Sequence, residues 1–381
     1  MFDIFSRFFR NFSHDLGIDL GTANTLVHVE GKGIAIREPS IVARHAKTKQ
    51  IIAIGTEARK MVGKTPSSIE AIKPLEHGVI SDFDAAAALL THFIRDVHKF
   101  KSPIGMLARP RVVVGIPSGV TEVERRAVWE AALQAGAREC YLIEEPMAAA
   151  IGAGVSVFQP TGVMTVDIGG GTSEIAVISL GGIVVNRSLK VAGRDMDHAI
   201  VHYIRLRHGL IIGEPTAEDV KIKIGSAYQN KLKMKQEEDN DEKSGEKADK
   251  KKKTASDEKA TSEKVAIIRG RDIETGMPRS IKIGEQEIRE AIGPVVNQIV
   301  ESVMEVVEET PPELTADILE HGILLTGGGS LLPGIDEIIM DRTKISVTHV
   351  KDPLTTVVRG TAKLLEDDSM LARVKVTGGL R

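Results

Sequence analysis

The chain has 381 residues, a formal net charge of −3, the apolar share of an ordinary globular protein and one cysteine, Cys140. That length exceeds a single ordinary core and predicts two domains, while the small net charge offers no basic face for nucleic acid. One cysteine allows no disulfide within the chain, which fits a reducing cytoplasm, and no apolar run approaches the roughly 20 residues that span a bilayer.

The N-terminus is unusual. Phe2, Phe5, Phe8, Phe9 and Phe12 fall with Ile4 mostly on one helical stripe, with Arg7 and Arg10 among the polar residues between them. The continuous apolar core and small-residue cleavage site of a signal peptide are missing. Two readings fit: a core helix, or an in-plane membrane anchor with its aromatic face in the lipid interface and its arginines near anionic headgroups. Its place before the first strand, where chain ends are loose, favours the anchor.

Strands follow one another from 16 to 42, turned at Gly31 and Gly33. Within them, Gly17-Ile18-Asp19-Leu20-Gly21-Thr22-Ala23-Asn24-Thr25 sets an apolar strand, an acid, a glycine and a small-residue turn before Leu26 and Val27 resume the strand. Ser81 or Asp82 opens a helix reaching about residue 98. The loop over 101–109 carries Ile104, Met106 and Leu107, which either pack on the protein or make a second membrane contact. A buried-type strand at 112–116 precedes a Thr121–Glu124 capping box, which starts a helix through Trp129. Glu144-Glu145-Pro146 ends the next strand and opens a small-residue helix, with proline suited to the first turn. Acids there either favour the helix dipole or act chemically, by orienting the water that attacks a γ-phosphate.

Residues 162–179 repeat the first pattern: strand, Asp167, then Gly169-Gly170-Gly171-Thr172, then strand. Successive glycines let backbone N–H groups converge on an anion, and an acid at the strand end can hold a hydrated Mg²⁺. Each copy alone reads as a hairpin turn or as a phosphate loop. As a pair, Asp19 matched by Asp167 and Gly21 by Gly169, they predict two related halves facing each other across one nucleotide. A strand rather than a helix follows the glycines, which excludes both the P-loop and the dinucleotide fingerprint.

Gly193, Arg194, Asp195 and Asp197 read as a turn into a helix over 198–208, whose histidines lack metal-ligand spacing. Glu218 and Lys221, one turn apart on the next helix, read as a surface ion pair. Residues 230–264 are nearly all charged or small; they cannot bury enough apolar surface to fold and read as a disordered insertion in a surface loop. Strands at 265–268 and 280–283 and a helix over 288–309 resume the fold. A strand at 323–325 ends in Gly327-Gly328-Gly329, a turn that lets backbone lie against a flat ring such as adenine. Small residues at 360–362 mark a last, tightly packed helix.

In this order, DLGTANT, IEEPMAAAIGAG, DIGGGTSE, AEDVKIKIGSAY and LTGGGSLLPG resemble the MreB family of bacterial actin homologues, over residues 15–365. The resemblance implies an α/β actin-like ATPase fold: two duplicated domains of ribonuclease H-like mixed sheets flanked by helices, each with a smaller subdomain. Domain I would take 14–155 plus 335–370, with its small subdomain near 40–75. Domain II would take 156–334, with an outer subdomain near 190–285. The anchor at 1–13 precedes them and a tail, 371–381, follows. The resemblance further implies ATP or ADP with Mg²⁺ between the halves, weak ATPase activity, and polymerisation into paired protofilaments. These would lie on the inner face of the cytoplasmic membrane, partnered by membrane proteins of the cell-elongation machinery, and maintain rod shape by guiding wall synthesis. Nucleic acid is not implied.

Carried across by position, Gly21, Thr22, Ala23 and Asn24 would contact the phosphates from one side, and Gly169, Gly170, Gly171 and Thr172 from the other. Asp19 and Asp167 would hold Mg²⁺ through water, and Glu145 with Thr172 would orient the attacking water. Gly193 would touch the nucleotide, Glu218 and Lys221 would reach ribose and adenine, and Gly327, Gly328 and Gly329 would line the base. The N-terminal phenylalanines and the Ile104–Leu107 loop fall where the family touches membrane. Ala192 and Arg194 depart from the family pattern, as does the charged insertion. Chaperone-type and sugar-kinase-type ATPases share the single motifs; the first would need a peptide-binding domain, the second a pocket with a base acting on a hydroxyl.

Overall fold

The structure, a computed structural model, describes residues 13–98, 109–228 and 264–376. Phe2, Phe5, Phe8, Phe9, Phe12, Ile104, Met106, Leu107 and the charged insertion as far as residue 263 lie outside the described residues.

The first half opens with an antiparallel meander, β1 (Leu16–Leu20), β2 (Asn24–Val29) and β3 (Gly33–Pro39). A small lobe follows: β4 (Val42–His45), β5 (Ile51–Ile54), α1 (Thr56–Met61) and β6 (Ile69–Ile72), with its own core of Ile41, Ala43 and Ala58. A short hairpin, β7 (Leu75–Glu76) and β8 (Val79–Ile80), leads to α2 (Phe83–His98), where the Asp82 carboxylate accepts from the Ala85 N–H at 2.9 Å. Next come β9 (Arg111–Ile116), α3 (Glu122–Gln134) with the expected capping box, β10 (Glu139–Glu144) and α4 (Glu145–Ala153). β9 lies parallel to β1 and β10 parallel to β9, which gives the sheet order β3-β2-β1-β9-β10.

The second half repeats the plan. β11 (Val163–Ile168), β12 (Ser173–Ser179) and β13 (Gly182–Leu189) form the meander. An outer region follows, of α5 (Gly193–His208), β14 (Leu210–Ile211), α6 (Glu214–Ile224), β15 (Val265–Asp272) and β16 (Pro278–Gly284). Then α7 (Glu285–Glu309), α8 (Pro312–His321) and β17 (Ile323–Thr326) return to the sheet, and α9 (Ile335–Thr343) and β18 (Val347–His349) complete it. The order β13-β12-β11-β17-β18 matches the first sheet strand for strand, again with two parallel additions. Finally α10 (Thr356–Glu366) and α11 (Asp368–Val374) return to the first half.

Helices on both faces explain the sheet sequences, since a strand covered on two sides reads as a continuous apolar run. β11 and β12 are buried along their whole length. On β9, Val112 and Val114 enter the core under α2 and α3, while Val113, pointing the other way, joins the core of α4 and α10. α4 and α10 cross at glycines: a Cβ on Gly152 would lie 1.9 Å from the Thr356 carbonyl oxygen, and one on Gly360 1.9 Å from that of Ala148. The small residues of both helices thus serve the close packing expected of them. Ile178 of β12 shares this core, so α4 packs against both halves.

Three expectations need correction. Residues 335–349 belong with the second half rather than the first: Ile335, Ile339 and Ile345 lie in its core and β18 extends its sheet. Helix α5 begins at Gly193, so Arg194, Asp195 and Asp197 are helical rather than a preceding turn; the Asp195 carboxylate accepts from the Ala192 N–H at 2.9 Å and closes the helix start. Glu218 and Lys221 find other partners than each other, at Arg59 and Asp197.

Candidate functional site

The two hairpin tips meet at the junction of the halves. Asp19 sits next to last on β1 and Asp167 next to last on β11, each on the meander's first strand. The approach of the tips requires the glycines: a Cβ on Gly170 would lie 2.5 Å from that of Ala23, and one on Gly171 2.7 Å from the Thr22 methyl. Gly169 closes the second tip by donating its N–H to the Thr172 carbonyl at 2.8 Å. The first tip is braced by Ser40, whose hydroxyl donates to the Gly21 carbonyl at 2.6 Å and whose N–H donates to Ala23. Thr22 accepts the Gly78 N–H at 3.0 Å.

These tips floor a cleft of about 390 Å³ lined by Asp19, Gly21 to Asn24, Glu145, Asp167, Gly169, Gly170, Thr172, Gly193, Glu218, Lys221 and Gly327 to Gly329. All the soluble-site residues expected from the sequence therefore converge except Gly171, which is turned against Thr22. Gly327 has φ +82°, and a Cβ there would meet the Asp167 carboxylate at 2.3 Å, so it buttresses that acid as well as lining the cleft.

Sequence reasoning missed the rest of the lining. Met196, Ile222, Leu331, Leu332, Leu354 and Val357 make an apolar wall, and Ile222, Leu331 and Leu354 are exposed together on it, an apolar patch that suits a flat ring. Lys221 pairs with Asp197 at 2.7 Å and donates to the Gly193 carbonyl at 2.6 Å, tying α6 to the start of α5. Nothing local in the sequence signals that pairing.

The electrostatics call for a cation. Burial pushes Asp19 up to about 7. Burial, then Asp19 and Glu174, push Asp167 up to about 8. Glu145 is held well above the usual carboxylate range by burial and then by Glu174, Asp19 and Asp167. Three acids gathered at one cleft floor, with no cation among the causes acting on them, fit a bound positive charge. Among the described residues no group of three or more His, Cys, Asp or Glu is disposed to ligate a metal directly. Two carboxylates suit Mg²⁺, which keeps several of its waters. Glycine tips rich in N–H donors, an acidic floor and an apolar wall together fit a magnesium nucleotide.

Comparisons with known proteins identify the family and relatives that bind a nucleotide. A family model described as MreB/Mbl protein matches residues 13–240 and 241–373. The chain is 46 % identical over 359 residues to the cell shape-determining protein MreB of Escherichia coli (strain K12), covering 93 % of this chain and 94 % of that one. It is 42 % identical over 366 residues to the cell shape-determining protein Mbl of Bacillus subtilis (strain 168), covering 96 % and 100 %. Among solved structures, MreB5 of Spiroplasma citri bound to ADP matches with a TM-score of 0.80 at 38 % identity, over 93 % of this chain and 96 % of that one. The same protein bound to AMPPNP matches equally.

Proposed function

The chain belongs to the MreB/Mbl family and has its actin-like fold, and from that premise we propose that it binds and hydrolyses ATP and polymerises into filaments on the membrane that direct cell shape. The observation that carries the proposal is the meeting of the two glycine tips, with Asp19 and Asp167 at the matching strand ends beside them.

In this reading the tips at residues 21–24 and 169–172 hold the phosphates from opposite halves, the Gly169 N–H being given to the Thr172 carbonyl. Asp19 and Asp167 would hold Mg²⁺ through water, and the ion when bound would neutralise charge on the phosphates. Glu145, whose raised affinity for a proton suits a base, orients the attacking water with Thr172 on the facing tip. Glu218 and Lys221 stand toward the ribose and base, and Gly327, Gly328 and Gly329 with the apolar wall cover the ring. The relatives named cell shape-determining, and the ADP- and AMPPNP-bound MreB5, support this assignment.

Membrane attachment is assigned to Phe2, Phe5, Phe8, Phe9 and Phe12, with Ile104, Met106 and Leu107 as a second contact, by the aromatic stripe flanked by arginines. Among the described residues no helix is long and apolar enough to cross a membrane. Rod-shape maintenance, wall synthesis and partners in the cell-elongation machinery follow from the same reading. Sedimentation with ATP and anionic liposomes tests it. ATP-dependent pelleting with the vesicles supports the filament, whereas soluble monomer at every concentration contradicts it, and deletion of residues 1–13 should reduce the vesicle share alone, leaving what the second contact holds.

A further inference from the structure

Glu174, the last letter of the DIGGGTSE motif, is used by none of the roles above, yet it is only 1 % exposed. It lies on β12 of the second half, two residues beyond Thr172 and directly opposite Asp167 on β11. A buried carboxylate is costly unless donors satisfy it. Here Oε2 accepts both the N–H of Ser118, at 3.1 Å, and its hydroxyl, at 2.6 Å, while Oε1 accepts the hydroxyl of Ser188 at 2.5 Å. Ser188 belongs to the same half, on β13. Ser118 belongs to the other half, in the turn that follows β9.

That turn is placed to matter. β9 runs beside β10 with Gly115 opposite Ile143 and Ile116 opposite Glu144, so its end flanks the residue just before Glu145. Gly115 lies directly against Glu145: a Cβ there would sit in ordinary contact, 3.6 Å from the Glu145 Cγ. The same turn is pressed onto the second half, since a Cβ on Gly119 would lie 2.9 Å from that of Ser188. Pro117 and Thr172 both close around Gly78, where a Cβ would lie 2.5 Å from the proline ring and 2.9 Å from the threonine methyl. Glu145 and Thr172, the two groups assigned to the attacking water, thus stand on different halves. The Ser118–Glu174 contact is a part-buried polar tie between those halves, behind the groups that line the cleft.

We propose that Glu174 is a positioning residue which, by clasping Ser118 across the halves, sets the spacing of Glu145 and Thr172 and so governs hydrolysis rather than nucleotide binding. The inference rests on the ATPase reading above. Parting the halves there strips the carboxylate of two of its three donors, so the clasp favours the arrangement in which both water-orienting groups face one point. Glu174 is also the charge that acts most strongly on Glu145. A group misplaced by about 1 Å costs a reaction far more than it costs ground-state binding.

The test uses the full chain with ATP and Mg²⁺, measuring single-turnover hydrolysis beside the affinity for a fluorescent ATP analogue. Ser118→Ala should slow hydrolysis about tenfold, as expected for a hydrogen bond to a charged group, with affinity changed less than about twofold. Ser118→Thr, which restores the hydroxyl, should recover most of the rate. Glu174→Gln should be slowed as well, and adding Ser118→Ala to it should cost little more, because the two act as one unit. Ser118 is a half-buried turn residue, so its variants decide the matter even where Glu174→Gln fails to fold. Wild-type hydrolysis by Ser118→Ala overturns the clasp, as does equal loss in Ser118→Ala and Ser118→Thr. A wild-type chain that turns over no ATP overturns the ATPase reading instead, and the clasp with it.

Discussion

Arg59, on the small lobe of the first half, meets Glu218, on α6 of the second, at 2.5 Å across the mouth of the cleft. Lys73 makes a parallel crossing to Glu214 at 2.6 Å. Both pairs are partly exposed, so each is worth at most about 1 kcal/mol and is screened by salt. Nucleotide release should therefore quicken with ionic strength. At low salt, Arg59→Ala should release a fluorescent ATP analogue about two- to fivefold faster than the unaltered chain, with the difference fading near about 1 M salt. Stopped-flow displacement measures this, and a salt-independent release rate speaks against a mouth held by charge.

The contact of the two tips leaves no room at Gly170. In Gly170→Ala the new methyl would meet Ala23 at 2.5 Å, and the tips must part. Nucleotide affinity should fall about tenfold or more, the cost of misplacing several charge-assisted hydrogen bonds at once. Pairing it with Ala23→Gly, which removes the opposing methyl, should recover part of the loss. Calorimetric titration of both variants checks the claim, and full affinity in Gly170→Ala refutes the close approach.

Asp197 offers a test by pH. Burial raises it to about 6 although Lys221 pulls it down. The folded state thus holds this proton more tightly than the unfolded chain does, where the ordinary value is 3.8. Its contribution to stability is complete below about pH 4 and is lost as pH rises through about 6. The melting temperature of the unaltered chain should fall more steeply over that window than that of Asp197→Asn. Equal slopes would mean that Asp197 titrates normally.

The crossing of α4 and α10 should be intolerant of added volume. Gly152→Ala and Gly360→Ala each thrust a methyl at a backbone carbonyl, which no side-chain rotation can relieve. Each should destabilise the chain by about 1–3 kcal/mol or more, read as a lower urea midpoint. Because both act at one crossing, the double variant should cost less than the sum of the two.

The contrast between these residues shows what one dimension of sequence can carry. Asp19, Gly21, Asp167 and Gly169 were legible because strand, acid and turn are consecutive, and the repeat of the pattern revealed the duplication. Glu145 was legible because proline follows it at a helix start. Asp197 with Lys221, Glu174 with Ser118, and Arg59 with Glu218 were not, since each pair joins residues 24 to 159 positions apart and only the packed halves bring them together. The misassignment of 335–349 has the same origin. Ile335 and Ile339 are ordinary helix residues, and whether they serve the first core or the second is decided by the pairing of β18 with β17. The apolar wall was hidden because Leu331 and Leu354 look like any surface leucines until the cleft between them is seen.

The most direct measurement is a crystal structure of the full chain grown with Mg²⁺ and a non-hydrolysable ATP analogue. A triphosphate is expected between residues 21–24 and 169–172, with the waters of the metal on Asp19 and Asp167 and the base beneath Gly327, Gly328 and Gly329. An empty cleft at saturating nucleotide, or a nucleotide bound elsewhere with those two carboxylates turned apart, would contradict the account.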